Sequence, residues 1–114
     1  MIKRISNQRH EVRENVRGGI GALDFVNIFE KDELSGKANM FAEVKLLPGQ
    51  SIGEHPHGDE GEIYIVKSGV ATVTDCGKEY ELNVGDAMWT TGGETHSVEN
   101  KTNENLVIYA IVLP

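Results

Sequence analysis

The sequence predicts an all-β domain, and three observations carry that prediction. Short runs rich in β-forming residues alternate polar and apolar side chains, turn signals recur roughly every eight to twelve residues, and no stretch shows a convincing helical period. Met40 to Leu46 is the clearest run: Met40, Ala42, Val44 and Leu46 share one face, Glu43 and Lys45 take the other, and Pro48-Gly49 ends the strand. Such a set of short strands closes into a sandwich or a barrel.

Taken in order, residues 1–19 carry Ile2, Ile5, Val12 and Val16 at spacings that suit neither a helix nor a strand, and Gly18, Gly19 and Gly21 interrupt the chain. This opening arm supports no assigned element and reads as solvated, and the barrel domain is expected over 20–114. Residues 23–29, LDFVNIF, read as a strand, and the polar 30–39 as a loop with one helical turn. A short strand over 52–57 leads through the turn 58–61 into EIYIVKSG, where Glu62, Tyr64 and Val66 share a face while Ile63 and Ile65 make the other face apolar. ATVTD and KEYEL flank Cys76-Gly77 as a hairpin. DAMWTT (86–91) follows, without a clear inward face, and then THSVEN (95–100). LVIYAIVL (106–113) is apolar throughout. Strands apolar on both sides need cover on both, so the sequence predicts a homodimer.

Composition narrows the function classes. A chain of 114 residues buries roughly two-thirds of its unfolded surface, enough for one core. Its formal net charge is −7, and all four arginines, Arg4, Arg9, Arg13 and Arg17, lie in the first 17 residues; beyond them sixteen acidic residues face six lysines. Such a body repels phosphate backbones, which argues against nucleic acid as a partner. The opening residues hold no apolar run of signal-peptide type and no later stretch reaches the ~18 apolar residues of a membrane span, so no membrane is expected. Cys76 is the lone cysteine, an incidental thiol in a turn, and the chain reads as cytoplasmic.

Chemistry concentrates in two stretches. In the first, His55 and His57 stand two apart, so a strand would point both the same way, and Glu62 opens the next apolar run; in the second, His96 adds a third imidazole. A single strand histidine is more often hydrogen-bonded or exposed than a ligand, but several converging donors look like a metal site. The spacings Gly49, His55, His57, Glu62, Gly69 and Gly85, Gly93, His96, Asn100 resemble the two signature motifs of the cupin superfamily. The one departure is Thr91, where the family has proline; it touches a turn and no ligand. The resemblance implies a jelly-roll β-barrel with His55, His57, Glu62 and His96 as ligands, and its spacing selects Glu62 over Asp59 and Glu60, which read as a solvated mouth.

Three imidazoles and a carboxylate suit one divalent transition metal, Mn, Fe, Co, Ni, Cu or Zn, and suit Ca or Mg poorly. Four protein ligands on a six-coordinate ion leave two positions open to a small-molecule ligand such as a small carboxylate. The resemblance implies a metal-dependent enzyme, a dioxygenase or an oxalate-decarboxylase-like protein. The alternatives are a non-catalytic binding or sensor module, and a sugar isomerase or epimerase. Tyr64, two beyond Glu62 on the same face, is the candidate catalytic hydroxyl, and Trp89 reads as core or interface. No arginine lies in the barrel-forming region to pair with a carboxylate; Lys67 is one candidate, and Arg17 another if the opening segment folds over the barrel mouth.

Overall fold

In a computed structural model that describes residues 1–114, ten strands form two sheets. The strands are β1 Arg9–Glu14, β2 Ala22–Phe29, β3 Met40–Leu46, β4 Ser51–Pro56, β5 Gly61–Ser68, β6 Ala71–Asp75, β7 Lys78–Leu82, β8 Ala87–Thr90, β9 Thr95–Glu99 and β10 Leu106–Leu113. One sheet runs β1-β2-β3-β10-β5-β8 and the other β4-β9-β6-β7. Every pairing is antiparallel, and the inner faces of the two sheets enclose one core. This is the all-β architecture expected from the strand pattern, in the jelly-roll form that the resemblance implies.

Register explains why the core is filled with apolar side chains at one end and lined by polar groups at the other. On the inner face of the six-stranded sheet, Leu46 of β3 stands opposite Leu106 of β10, and both are fully buried. The next row along is Phe25, Val44, Ile108 and Val66, and Ile52, Val73 and Val98 oppose these two rows from the other sheet. Truncating any one of the large members to alanine would cost about 2–5 kcal/mol. The third row changes character: Ala42 and Ala110 pair, with Tyr64 beside them and Asn27 beyond. Two alanines leave space where the rows below are filled. The fourth row holds Met40, Val112, Glu62 and Thr90, so polar groups enter where the packing opens.

The opening segment departs from the expectation. Residues 9–14 form β1, paired with β2 along its whole length, and a 3-10 turn over Val16–Gly18 packs on β4. No alternation betrays β1, because as an edge strand it leaves nearly every side chain exposed. Ion pairs hold it to the 30–39 turn: Arg9 to Glu30 at 3.1 Å and, ahead of the strand, Lys3 to Glu33 at 2.6 Å. The Arg9–Glu30 pair is exposed and contributes ~0–1 kcal/mol, and Lys3–Glu33 is partly buried, so the six-residue strand ladder is the main attachment of β1.

DAMWTT resolves into an inward Met88 and Thr90 and an outward Trp89. Trp89 is therefore not a core residue; it is half exposed and its indole lies on the backbone of Gly61, where an added Cβ would sit 2.2 Å from the ring.

Candidate metal centre

The four residues singled out by spacing come together at the open end of the core. β4 and β9 pair Ile52 with Val98 and then slip, so that His55, not Glu54, stands opposite His96. A bulge of this kind re-aims a side chain at a site. Within it the Gly53 carbonyl accepts a hydrogen bond from His55 Nδ1–H at 2.7 Å, which turns Nε2 inward. His57 lies just past β4, where its N–H donates to the Glu94 carbonyl at 3.3 Å and its carbonyl accepts from Gly93 N–H at 2.6 Å. The 57–58 loop is thus fastened to the turn that precedes His96. Glu62 projects from β5 opposite Thr90, and Thr90 Oγ1 lies 2.9 Å from His96 Nδ1. All four residues are buried.

Their inward atoms crowd one point. His57 Nε2 is 2.7 Å from Glu62 Oε1 and 2.9 Å from His96 Nε2; His96 Nε2 is 3.1 Å from Glu62 Oε1 and 3.2 Å from His55 Nε2. Adjacent ligand atoms on a six-coordinate ion with bonds of ~2.1 Å lie about 3.0 Å apart, and those on a four-coordinate ion about 3.4 Å. The observed separations bracket the first value. Three imidazole nitrogens and a carboxylate oxygen converge on one point in a buried pocket at the spacing of adjacent ligand atoms, so the residues present fit a metal ion typical of this donor set. Asp75, Cys76 and Glu94 also approach one another, but at the surface, where acidic groups meet without an ion.

Burial pushes His55 below its ordinary pKa, against the raising effect of the Gly53 hydrogen bond; the other two imidazoles and Arg17 lower it further. Tyr64 stacks flat on His96, with ring centroids 4.7 Å apart, and its hydroxyl is 3.4 Å from His96 Nε2. Burial raises that hydroxyl well above pKa 10, and Glu62 adds to the effect while Arg17 opposes it.

A cavity of about 130 Å³ adjoins the cluster, walled by His55, His57, Glu62 and Tyr64 on the polar side and by Phe25, Ile52, Met40, Ala110 and Val112 on the apolar side. At ~30 Å³ per water it holds the equivalent of about four waters. Glu60 reaches its mouth, held by Asn39 Nδ2–H, while Asp59 is exposed. Arg13, Val16 and Arg17 close the remaining side. The opening segment thus does fold over the mouth. Lys67 does not take part: it is exposed and paired with Glu43 on the outer face. The Thr91 departure is compensated locally, since Thr91 donates to Glu94 Oε1 from both its N–H, at 2.9 Å, and its hydroxyl, at 2.6 Å. A proline could supply neither bond. Asn100 is wholly buried and structural: its Nδ2 donates to the Leu46 and Glu104 carbonyls at 3.0 and 2.7 Å.

Comparison with known proteins agrees with this geometry. The cupin-domain family profile matches residues 42–112. The "Oxalate-binding protein" of Thermotoga maritima is 37% identical over 113 residues, spanning 99% of this chain and 93% of that protein. A crystal structure of a predicted oxalate decarboxylase from Thermotoga maritima superposes with a TM-score of 0.93 at 37% identity, covering 99% of this chain and 98% of the other. The cupin domain of Schizosaccharomyces pombe Cnp3 shares the fold at TM-score 0.72 and 14% identity, over 90% of this chain and 67% of that one.

Proposed function

The chain belongs to the cupin-domain family, and from that premise we propose that His55, His57, Glu62 and His96 hold one divalent transition-metal ion beside which a small carboxylate, oxalate first, is captured. The observation that carries this is the convergence of four buried donor atoms next to a cavity of about four water volumes. The similarity to an oxalate-binding protein supports the choice of acid. When bound, the ion supplies Lewis acidity and, if redox-active, one-electron chemistry. The protein's part is to hold the imidazoles in one tautomer. With Nε2 inward, His55 Nδ1–H donates to the Gly53 carbonyl and His96 Nδ1–H to Thr90 Oγ1. Three neutral imidazoles and one carboxylate leave a divalent ion a net charge of +1, which draws an anion into an otherwise acidic body.

Capture asks for no further group, whereas isomerase chemistry asks for a base near the metal. Tyr64, whose hydroxyl lies 3.4 Å from His96 Nε2, is the hydroxyl at the site, and we assign it the task of donating a hydrogen bond toward the ligand. Tyr64→Phe should therefore weaken oxalate binding a few-fold while leaving the metal content per chain unchanged. A variant that binds oxalate as the parent does would remove Tyr64 from the site's working residues.

The outward faces of β5 and β10, with Ile63, Ile65, Tyr109 and Ile111 half-buried and uncovered by the chain itself, support a homodimer.

The direct test is calorimetric titration of manganese-loaded and metal-free protein with oxalate. Binding on the order of micromolar to millimolar is expected in the loaded form only. Equal binding by both forms, or none by either, refutes the proposal. Dioxygen uptake or carbon dioxide release in the same samples would raise capture to turnover.

A further inference from the structure

Arg17 is a cation on the cavity wall that no acid of the chain engages. Its neighbour Arg13 is committed, paired with Glu11 and lying over the Phe25 ring at 4.6 Å. Arg17 forms no ion pair. It nevertheless lines the same cavity as His55, His57, Glu62 and Tyr64.

The backbone that presents Arg17 is fixed. Ser51 N–H donates to the Ile20 carbonyl and Ile20 N–H to Ser51 Oγ, both at 3.0 Å, and Gly19 N–H closes the 3-10 turn on the Val16 carbonyl at 2.9 Å. Two glycines let the backbones touch: a Cβ on Gly53 would lie 2.1 Å from the Arg17 carbonyl oxygen, and one on Gly19 would lie 2.2 Å from the Ser51 carbonyl oxygen. Arg17 itself takes a left-handed conformation, φ 55°, which costs a residue with a Cβ and persists where the surroundings impose it. A loose solvated arm needs none of these features.

Chelation alone does not distinguish oxalate from a monoanion such as glycolate, since each offers two oxygens to adjacent metal positions. Oxalate chelating through one oxygen of each carboxylate keeps two further oxygens pointing away from the metal, side by side. A guanidinium fork matches such a pair with two parallel N–H donors. Glycolate presents only one outward carboxylate oxygen and one less negative charge.

We propose that Arg17 is a specificity-determining residue that reads the outward oxygens of a metal-held dicarboxylate, so that the site selects dianions over monoanionic chelators of the same size. This rests on the capture reading above. The test titrates oxalate and glycolate into manganese-loaded wild type, Arg17→Gln and Arg17→Lys, with metal content and melting temperature recorded for each. Wild type should prefer oxalate. Arg17→Gln should lose about tenfold or more in oxalate affinity and change glycolate by less than about twofold, a preference pattern that misfolding would not produce. Arg17→Lys should fall between, because an ammonium keeps the charge without the fork. Manganese affinity should be unchanged or higher in Arg17→Gln, since a nearby positive charge has been removed. Metal-dependent oxalate binding that is indifferent to Arg17→Gln, or an equal loss for both acids, overturns this inference and leaves capture standing. Failure of metal-loaded wild type to bind either acid overturns both.

Discussion

His96 is engaged from two sides: Thr90 Oγ1 at Nδ1 and the Tyr64 ring stacked against its face. A ligand histidine whose second nitrogen loses its partner turns more freely and binds metal less well, typically by 10–100-fold. Thr90 is completely buried, and valine has its shape without the hydroxyl. Thr90→Val should therefore weaken metal binding by about that factor with the barrel intact, as read by competition with a chromophoric chelator; unaltered affinity would show that the contact does not matter. The four clustered donors, His55, His57, Glu62 and His96, were legible because their positions are set by motif spacing. Thr90 was not, because a four-residue strand of Ala87, Met88, Trp89 and Thr90 offers no polarity contrast to say which face turns in. The Gly53 carbonyl was equally hidden, since a bulge depends on how two strands slip and no local residue announces it.

At the scale of elements, β4 and the Val16–Gly18 turn meet backbone to backbone, with glycines at the contact. Gly53→Ala places a methyl 2.1 Å from the Arg17 carbonyl oxygen, and a backbone atom cannot step aside as a flexible side chain does. The expected loss is about 1–3 kcal/mol, with faster cleavage within residues 1–19 in limited proteolysis. Gly58→Ala is the control: its Cβ would meet nothing within 4 Å, and stability should stay within about 0.5 kcal/mol. Equal behaviour of the two variants would mean that the opening segment is not held by this contact. Apart from β8, the strands from β2 onward were readable, since most carry alternation or a continuous apolar run. β1 was not, for it is recruited by the edge of β2 and has almost no buried residue of its own.

For the whole molecule, the outer face of the six-stranded sheet is the feature that one chain leaves unfinished. Ile63 and Ile65 on β5 align with Ile111 and Tyr109 on β10, and the adjoining β8 adds Trp89. If two copies cover this face, sedimentation at micromolar concentration should give about 25 kDa, twice the 12.5 kDa of the chain, and Ile65→Glu should return the monomer. A 12.5 kDa species throughout would exclude the dimer. No helix of the structure is long and apolar enough to cross a membrane.

The placement of Trp89 has an optical consequence. It is the sole tryptophan, its indole rests on Gly61, and the next residues along the two paired strands are Glu62 and Thr90. If an ion binds at the cluster, the emission of this indole is a built-in probe of it with no dye attached. Copper, nickel, cobalt, iron or manganese, with unfilled d shells, can drain its excited state, whereas zinc, with a closed shell, can act on it only by shifting its surroundings. Fluorescence followed during loading thus separates the classes of ion by photophysics, in a sample too small for elemental assay.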